Sequence, residues 1–305
     1  MSRCLVTRVL PGPAVARIGA AGHELDVWPG ALPPDADELR EAIASADGLL
    51  CLLTDRVDTA LLDAAPRLRV VSNYAVGTDN VDLDACRARG IPVGRTPDVL
   101  TAATADLTFA LLLAVARGIV PASAAVRDGE WRTWEPARWL GAEVAGRTLL
   151  IVGGGRIGTA VGRRARGFDM EVLLAGRTDD LGTLLERADF VSLHCPLTPA
   201  TRHLIDASSL ARMRAGAFLI NTARGPLVDQ TALARALRDG AIAGAALDVT
   251  DPEPLPADDP LLKAPNLLVV PHIGSATHVA RERMAEMAVD NLLAGLDGRP
   301  LPHPA

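Results

Sequence analysis

Thr148-Leu149-Leu150-Ile151-Val152-Gly153-Gly154-Gly155-Arg156-Ile157-Gly158 decides the architecture of this chain. A short apolar run that ends in glycines reads as a buried strand, and residues 157–166 read as the helix after it. The Gly153-x-Gly155-x-x-Gly158 spacing lies between the two, and each glycine there has a reason. Gly153 permits the tight turn, Gly155 lets the backbone approach a pyrophosphate, and Gly158 lets helix and strand pack closely. Arg156 and Ile157 open the helix, whose N-terminus turns its free N–H groups toward the phosphates, and join the expected contacts. The stretch predicts a dinucleotide-binding strand–turn–helix unit.

The strand expected next, 171–175, bears on which dinucleotide is bound. Folds that take NAD place an acid at this strand end for the ribose 2′-hydroxyl. Here the chain reads Leu174-Ala175-Gly176-Arg177-Thr178, with no acid in place and an arginine beside it. Arg177, helped by Thr178, is expected to hold a 2′-phosphate through charge-assisted bonds. NADP(H) is therefore the preferred cofactor and NAD(H) the alternative. Asp179 and Asp180 weigh the other way, because they repel a phosphate.

Outward from this unit, short apolar runs alternate with helical patterns, which argues for an α/β chain with parallel sheets. Strands are expected at 49–53, 68–72, 91–94, 190–194, 218–221, 244–248 and 267–270. Helices are expected at 35–46, 81–89, 98–117 and 279–296. Residues 127–141 differ in character: Trp131, Trp134 and Trp139 stand close together around Pro136. Such rings are expected to pack on a partner subunit, with this domain's own core as the alternative.

The composition excludes several classes. With 305 residues, 49% of them hydrophobic and 22% charged, the chain is long enough for two globular domains. A net charge of −6 offers no basic field for nucleic acid or an anionic membrane, and 3% aromatics leave little for base stacking. Cys4, Cys51, Cys86 and Cys195 are scattered without metal-like spacing, as free thiols in a reducing cytoplasm would be. No metal site is expected, since no His, Asp or Glu pair has ligand spacing. The run from Arg3 to Arg17 carries charges and is broken by Pro11 and Pro13, so no leader is expected.

Farther along come Asn221-Thr222-Ala223-Arg224-Gly225, the tract from Ala246 through Asp248, Pro252-Glu253-Pro254 to Pro256, and Pro271-His272-Ile273-Gly274-Ser275. With the glycine loop and Asn73-Tyr74-Ala75-Val76-Gly77-Thr78-Asp79, these motifs resemble the D-isomer-specific 2-hydroxyacid dehydrogenases. Within that family the chain is most similar to glyoxylate/hydroxypyruvate reductases. The likeness runs nearly end to end and is weaker at the N-terminus.

The resemblance implies two Rossmann/flavodoxin-like, doubly wound parallel-sheet domains with an interdomain cleft. Residues 1–95 and 277–305 would form the substrate domain, and 96–276 the dinucleotide domain. It implies that Arg224 binds the substrate carboxylate or polarises its carbonyl, suited by a planar fork of donors. His272 would give a proton to the carbonyl oxygen as hydride arrives, and Glu253 would orient the ring and favour its charged form. Asp248 would hold the nicotinamide end. Cys195, Pro196, Thr222, Ala223 and Gly274 would complete the cofactor site. The N–H groups of Val76 and Gly77 would cradle the carboxylate, with Tyr74, Leu100 and Trp139 as expected walls. Formate dehydrogenases of this fold place Gln where Glu253 stands, so Glu253 favours a hydroxy-acid reaction.

The implied activity is an NADPH-preferring reduction of glyoxylate or hydroxypyruvate to the D-2-hydroxy acid by a cytoplasmic homodimer. The alternatives are another small 2-oxo acid or phosphite as hydride partner, or a dinucleotide-sensing module like the corepressors of this fold. One departure stands out: the segment after Arg177 is short, which predicts a nucleotide sheet with one strand fewer.

Overall fold

The computed structural model describes all 305 residues, which divide into two compact units, Met1–Leu100 with Ala276–Ala305, and Thr101–Ser275. The expected boundary at residue 95 falls five residues earlier than this division, because Val99 and Leu100 pack with the core of the first unit.

The first unit opens with β1 (Arg3–Val6), α1 (Ala16–Ala20), β2 (Glu24–Val27), α2 (Ala36–Ile43) and β3 (Gly48–Cys51). It continues through α3 (Thr59–Asp63), β4 (Val70–Asn73), α4 (Leu83–Ala88) and β5 (Val93–Gly94). The strands form one parallel sheet in the order β2-β1-β3-β4-β5. Helix starts are written into the sequence as aspartates: Asp35, Asp58 and Asp82 each accept a backbone N–H from the first turn. Asp35 and Glu38 close a reciprocal capping box; a cap of this kind contributes about 1 kcal/mol.

The second unit runs through α5 (Thr101–Ala116), α6 (Ile119–Arg127), β6 (Thr148–Val152), α7 (Arg156–Gly167) and β7 (Glu171–Ala175). Then come α8 (Leu181–Leu185), β8 (Phe190–Leu193), α9 (Ala207–Arg212), β9 (Phe218–Asn221), α10 (Gln230–Arg238), β10 (Gly244–Leu247) and β11 (Leu267–Val269). Its sheet is parallel throughout, in the order β11-β10-β9-β8-β6-β7. One face packs on α5 and α7 through Phe109, Leu112, Val161, Phe190 and Ile220, and the other on α8–α10 through Leu185, Leu210 and Leu233. Burial on both faces explains why these strands read as unbroken apolar runs. No strand occurs between Arg177 and Asp189, so β7 is the sheet edge, as the short segment predicted.

The last helix, α11 (His278–Leu296), returns to the first unit. Met284, Ala288 and Leu292 close the apolar face formed by Cys4, Val6, Leu50 and Val70. Asn291 is fully buried there; it donates to the Arg95 carbonyl and accepts from His303 N–H, and the tail then pairs with β5 at Gly94 and Pro304. α5 starts at Thr101, later than the expected 98, since Asp98 has a φ of 71° that a helix does not admit. No single helix is long and apolar enough to cross a membrane; α5 and α6 pass that test only as a pair, bent by 65°, and α5 lies in the core.

Candidate active site

A parallel sheet turns the carboxyl ends of all its strands to one edge, and loops there can converge on a ligand. In the second unit that edge gathers Gly153 to Gly158 after β6, Arg177 and Thr178 after β7, and Cys195 and Pro196 after β8. Thr222, Ala223 and Arg224 follow β9, Asp248 follows β10, and His272 and Gly274 follow β11. Val76 and Gly77 occupy the matching end of β4 in the first unit.

The glycine turn fits a dinucleotide. Gly153 has φ +103°, and a Cβ there would lie 2.6 Å from Cys195 N; one on Gly158 would lie 2.1 Å from Gly153 O. No side chain caps α7, whose Gly155 N-cap leaves the first N–H groups to a ligand. Arg177 and Thr178 are exposed beyond β7. Asp179 and Asp180, which weigh against a phosphate, stand beside them: Asp179 Oδ2 accepts from Gly176 N at 2.7 Å, and Asp180 caps α8 through Thr183.

The structure brings His272 and Glu253 together. His272 Nδ1 lies 2.5 Å from Glu253 Oε1, with both side chains partly exposed. Glu253 stands in a loop tied to the start of α10, because Gln230 donates to the Asp251 carbonyl and accepts from its N–H. Asn221 fixes the Arg224 turn by donating to the Arg224 carbonyl at 2.8 Å and accepting from Ala223 N. Arg224 is half-buried and its Nη1 donates to Ala223 O. Asp248 is 1% exposed, and burial pushes its carboxyl up while N–H donors from Ile273 and Gly274 and the nearby His272 pull it down.

In the first unit, Asn73 Nδ2 donates to the Gly77 carbonyl at 2.9 Å and bonds Asn80, which donates to the carbonyls of Leu52 and Asp55. These bonds brace the Val76–Gly77 turn. Tyr74 departs from the expectation that it walls a pocket: it is 2% exposed, packs in the core and donates its hydroxyl to Arg281 O. Trp131, Trp134 and Trp139 are 70%, 79% and 45% exposed, so they do not seal the core of this unit. The four cysteines are free, three of them buried.

Comparison with known proteins places this arrangement. Residues 109–274 match the model of the D-isomer specific 2-hydroxyacid dehydrogenase NAD binding domain. A glyoxylate reductase of Korarchaeum cryptofilum is 49% identical over 96% of this chain and 92% of that relative. The chain belongs to the D-isomer-specific 2-hydroxyacid dehydrogenase family. A Thermus thermophilus protein shares its structure with a TM-score of 0.95 and 52% identity, over 99% of both chains. An NADPH-dependent glyoxylate/hydroxypyruvate reductase of Sinorhizobium meliloti, in complex with NADP and malonate, gives a TM-score of 0.87 at 32% identity. That alignment covers 100% of this 2-hydroxyacid dehydrogenase and 96% of the other chain. The cofactor is a nicotinamide dinucleotide, as the family's NAD-binding domain requires.

Sequence reading missed Thr104 and Thr108. Thr108 Oγ1 lies 2.9 Å from Thr222 Oγ1, and Thr104 Oγ1 donates to Gly274 O at 3.1 Å. The two threonines stand four residues apart in α5 and so share one face, but that spacing alone does not mark a site.

Proposed function

We propose that this dehydrogenase reduces glyoxylate, hydroxypyruvate and related small 2-oxo acids to D-2-hydroxy acids, with NADPH preferred to NADH. The contact of His272 Nδ1 with Glu253 Oε1 at 2.5 Å carries the reading. It orients the ring, leaves Nε2 as the nitrogen that exchanges a proton, and sets an anion against the charged form. The bound dinucleotide supplies the hydride. Arg224 pairs its guanidinium with the substrate carboxylate, and Val76 and Gly77 are assigned as further N–H donors to that group. As the carbonyl oxygen gains charge, His272 passes it a proton, and Glu253 steadies the ring throughout. The assignment of Cys195, Pro196, Thr222, Ala223 and Gly274 to the cofactor follows from their place at the carboxyl edge of the sheet.

NADPH preference is supported by Arg177 and Thr178, exposed beyond the end of β7, where NAD-binding folds carry an acid. The NADPH-dependent S. meliloti enzyme is consistent with it. Turnover followed by nicotinamide absorbance, NADPH against NADH and glyoxylate against hydroxypyruvate, tests both parts. Faster turnover with NADPH and either acid is expected. NADH saturating at lower concentration than NADPH would overturn the cofactor assignment, and silence with every pair would overturn the reductase.

The exposed Trp131, Trp134 and Trp139, with Leu140 and the apolar residues Ile119, Val120 and Val126 of α6, support a homodimer formed through this arm. Sedimentation of the wild type and of a Trp131→Ser, Trp134→Ser variant tests it, the variant being expected to dissociate. The reading is of a cytoplasmic enzyme that takes neither nucleic acid nor membrane as partner.

A further inference from the structure

The loop that carries His272 is held in a shape that its own sequence does not favour. His272 has a φ of 51°, in the left-handed region where residues other than glycine are uncommon. Its N–H donates to Asp248 O at 2.8 Å and to Val270 O at 3.0 Å. The Asp248 side chain then takes the next two donors, Ile273 N on Oδ1 at 2.6 Å and Gly274 N on Oδ2 at 2.8 Å. One buried aspartate therefore receives three successive N–H groups. From the opposite side Thr104 Oγ1 donates to Gly274 O at 3.1 Å, and Thr104 is fixed in turn by Thr108 Oγ1 on its carbonyl. A Cβ on Gly274 would lie 3.0 Å from Asp248 Oδ2 and 3.4 Å from Thr104 Oγ1, so the peptide is gripped between them.

We infer that Asp248 and Thr104 are positioning residues that clamp the 272–274 turn and thereby set the direction of the His272 imidazole. The inference rests on the reading of His272 as proton donor. It is distinct from the role first expected for Asp248, which was to hold the nicotinamide end: here each carboxylate oxygen accepts an N–H of the loop. A backbone carbonyl could not replace this side chain. It would meet one or two of the N–H groups, whereas the carboxylate spans adjacent ones with separate oxygens. Two acids face His272: Glu253 on Nδ1, and Asp248 behind the turn.

Asp248→Asn keeps the shape but turns an amide NH₂ toward one of two N–H donors and removes a charge. Three readouts apply to the full-length protein. Histidine side-chain NMR of ¹⁵N-labelled protein, with His272 assigned by the signal lost in His272→Ala, should show that resonance displaced in Asp248→Asn. Reduction should slow about 100-fold, the order expected for a misdirected catalytic group. NADPH affinity, by fluorescence titration, should change by less than about threefold. Should Asp248→Asn fold poorly, Thr104→Val tests the other jaw: the same changes are expected at smaller size, with most of the lost rate recovered in Thr104→Ser. An unmoved His272 resonance together with an NADPH affinity lost in step with the rate would overturn the clamp and return Asp248 to the nicotinamide alone. A His272→Ala protein that reduces 2-oxo acids at the wild-type rate would instead overturn the underlying proton-donor reading, whatever the spectra show.

Discussion

Acidification from about pH 7.5 to about pH 5 should loosen the second unit through one side chain, His194. Its ring sits at the end of β8 with Nε2 2.8 Å from the buried Ser192 hydroxyl, and burial lowers its pKa from 6.5 to about 4. The neutral ring accepts from Ser192, whereas the imidazolium has nothing of opposite charge to meet. Because the folded value is depressed, the unfolded chain takes up the proton first as pH falls. The stabilisation is complete well above pH 6.5 and is lost progressively down to about pH 4. Over the stated interval the linkage amounts to about 2 kcal/mol, and it approaches about 3 kcal/mol at lower pH. Other groups titrate in the same range, so the measurement is a difference. Urea unfolding of the cofactor-free protein, followed by circular dichroism, is compared between wild type and His194→Gln at each pH. The glutamine can still accept from Ser192 but does not titrate, and its curve should be flatter by about 2 kcal/mol. Equal slopes for the two proteins would refute the reasoning.

Other consequences are equally direct. Gly158→Ala sets a methyl 2.1 Å from Gly153 O, so β6 and α7 must part; a loss of about 1–3 kcal/mol in stability and at least tenfold in cofactor affinity is expected from melting and titration. Arg224→Lys keeps the charge but not the planar fork, and kcat/KM for the 2-oxo acid should fall roughly 10- to 100-fold, mostly through KM. Glu253→Gln removes the anion at 2.5 Å from His272, so reduction should slow by about 100-fold in kcat, checked by steady-state kinetics with the 2-oxo acid. Arg177→Ala should erase most of the NADPH preference while leaving NADH turnover within about threefold, checked by comparing KM for the two cofactors.

Much of the second unit was legible because its strands are buried on both faces. Thr148–Val152 and Phe218–Asn221 read as short, mostly apolar runs, and the structure has them with the same bounds, as it has the less buried edge strand Glu171–Ala175. β1 and β2 were not read as strands. Arg3, Glu24 and Asp26 form ion pairs along that edge, so their charges interrupt the pattern on which sequence reading depends. At the site, residues in compact motifs such as Arg224 and His272 were visible. Thr104, Thr108 and Asn80 were not, since their contacts join segments distant in sequence and nothing local announces them. Tyr74 misled because a tyrosine beside a binding loop can face either way, and here its hydroxyl finds the Arg281 carbonyl inside the core.

The return of α11 to the first unit bears on how the chain is made. Met1–Leu100 leaves the ribosome early, yet the sheet face of Cys4, Val6, Leu50 and Val70 lacks its cover until Met284, Ala288 and Leu292 emerge. Thr101–Ser275 must be translated in between. At about 5–20 residues per second that interval is roughly ten to thirty-five seconds. During it the second unit, continuous in sequence, has all of its own strands and helices and can fold alone. The N-terminal sheet waits with much of this apolar face uncovered, which makes the nascent first unit, rather than the second, the segment where a chaperone has most to cover.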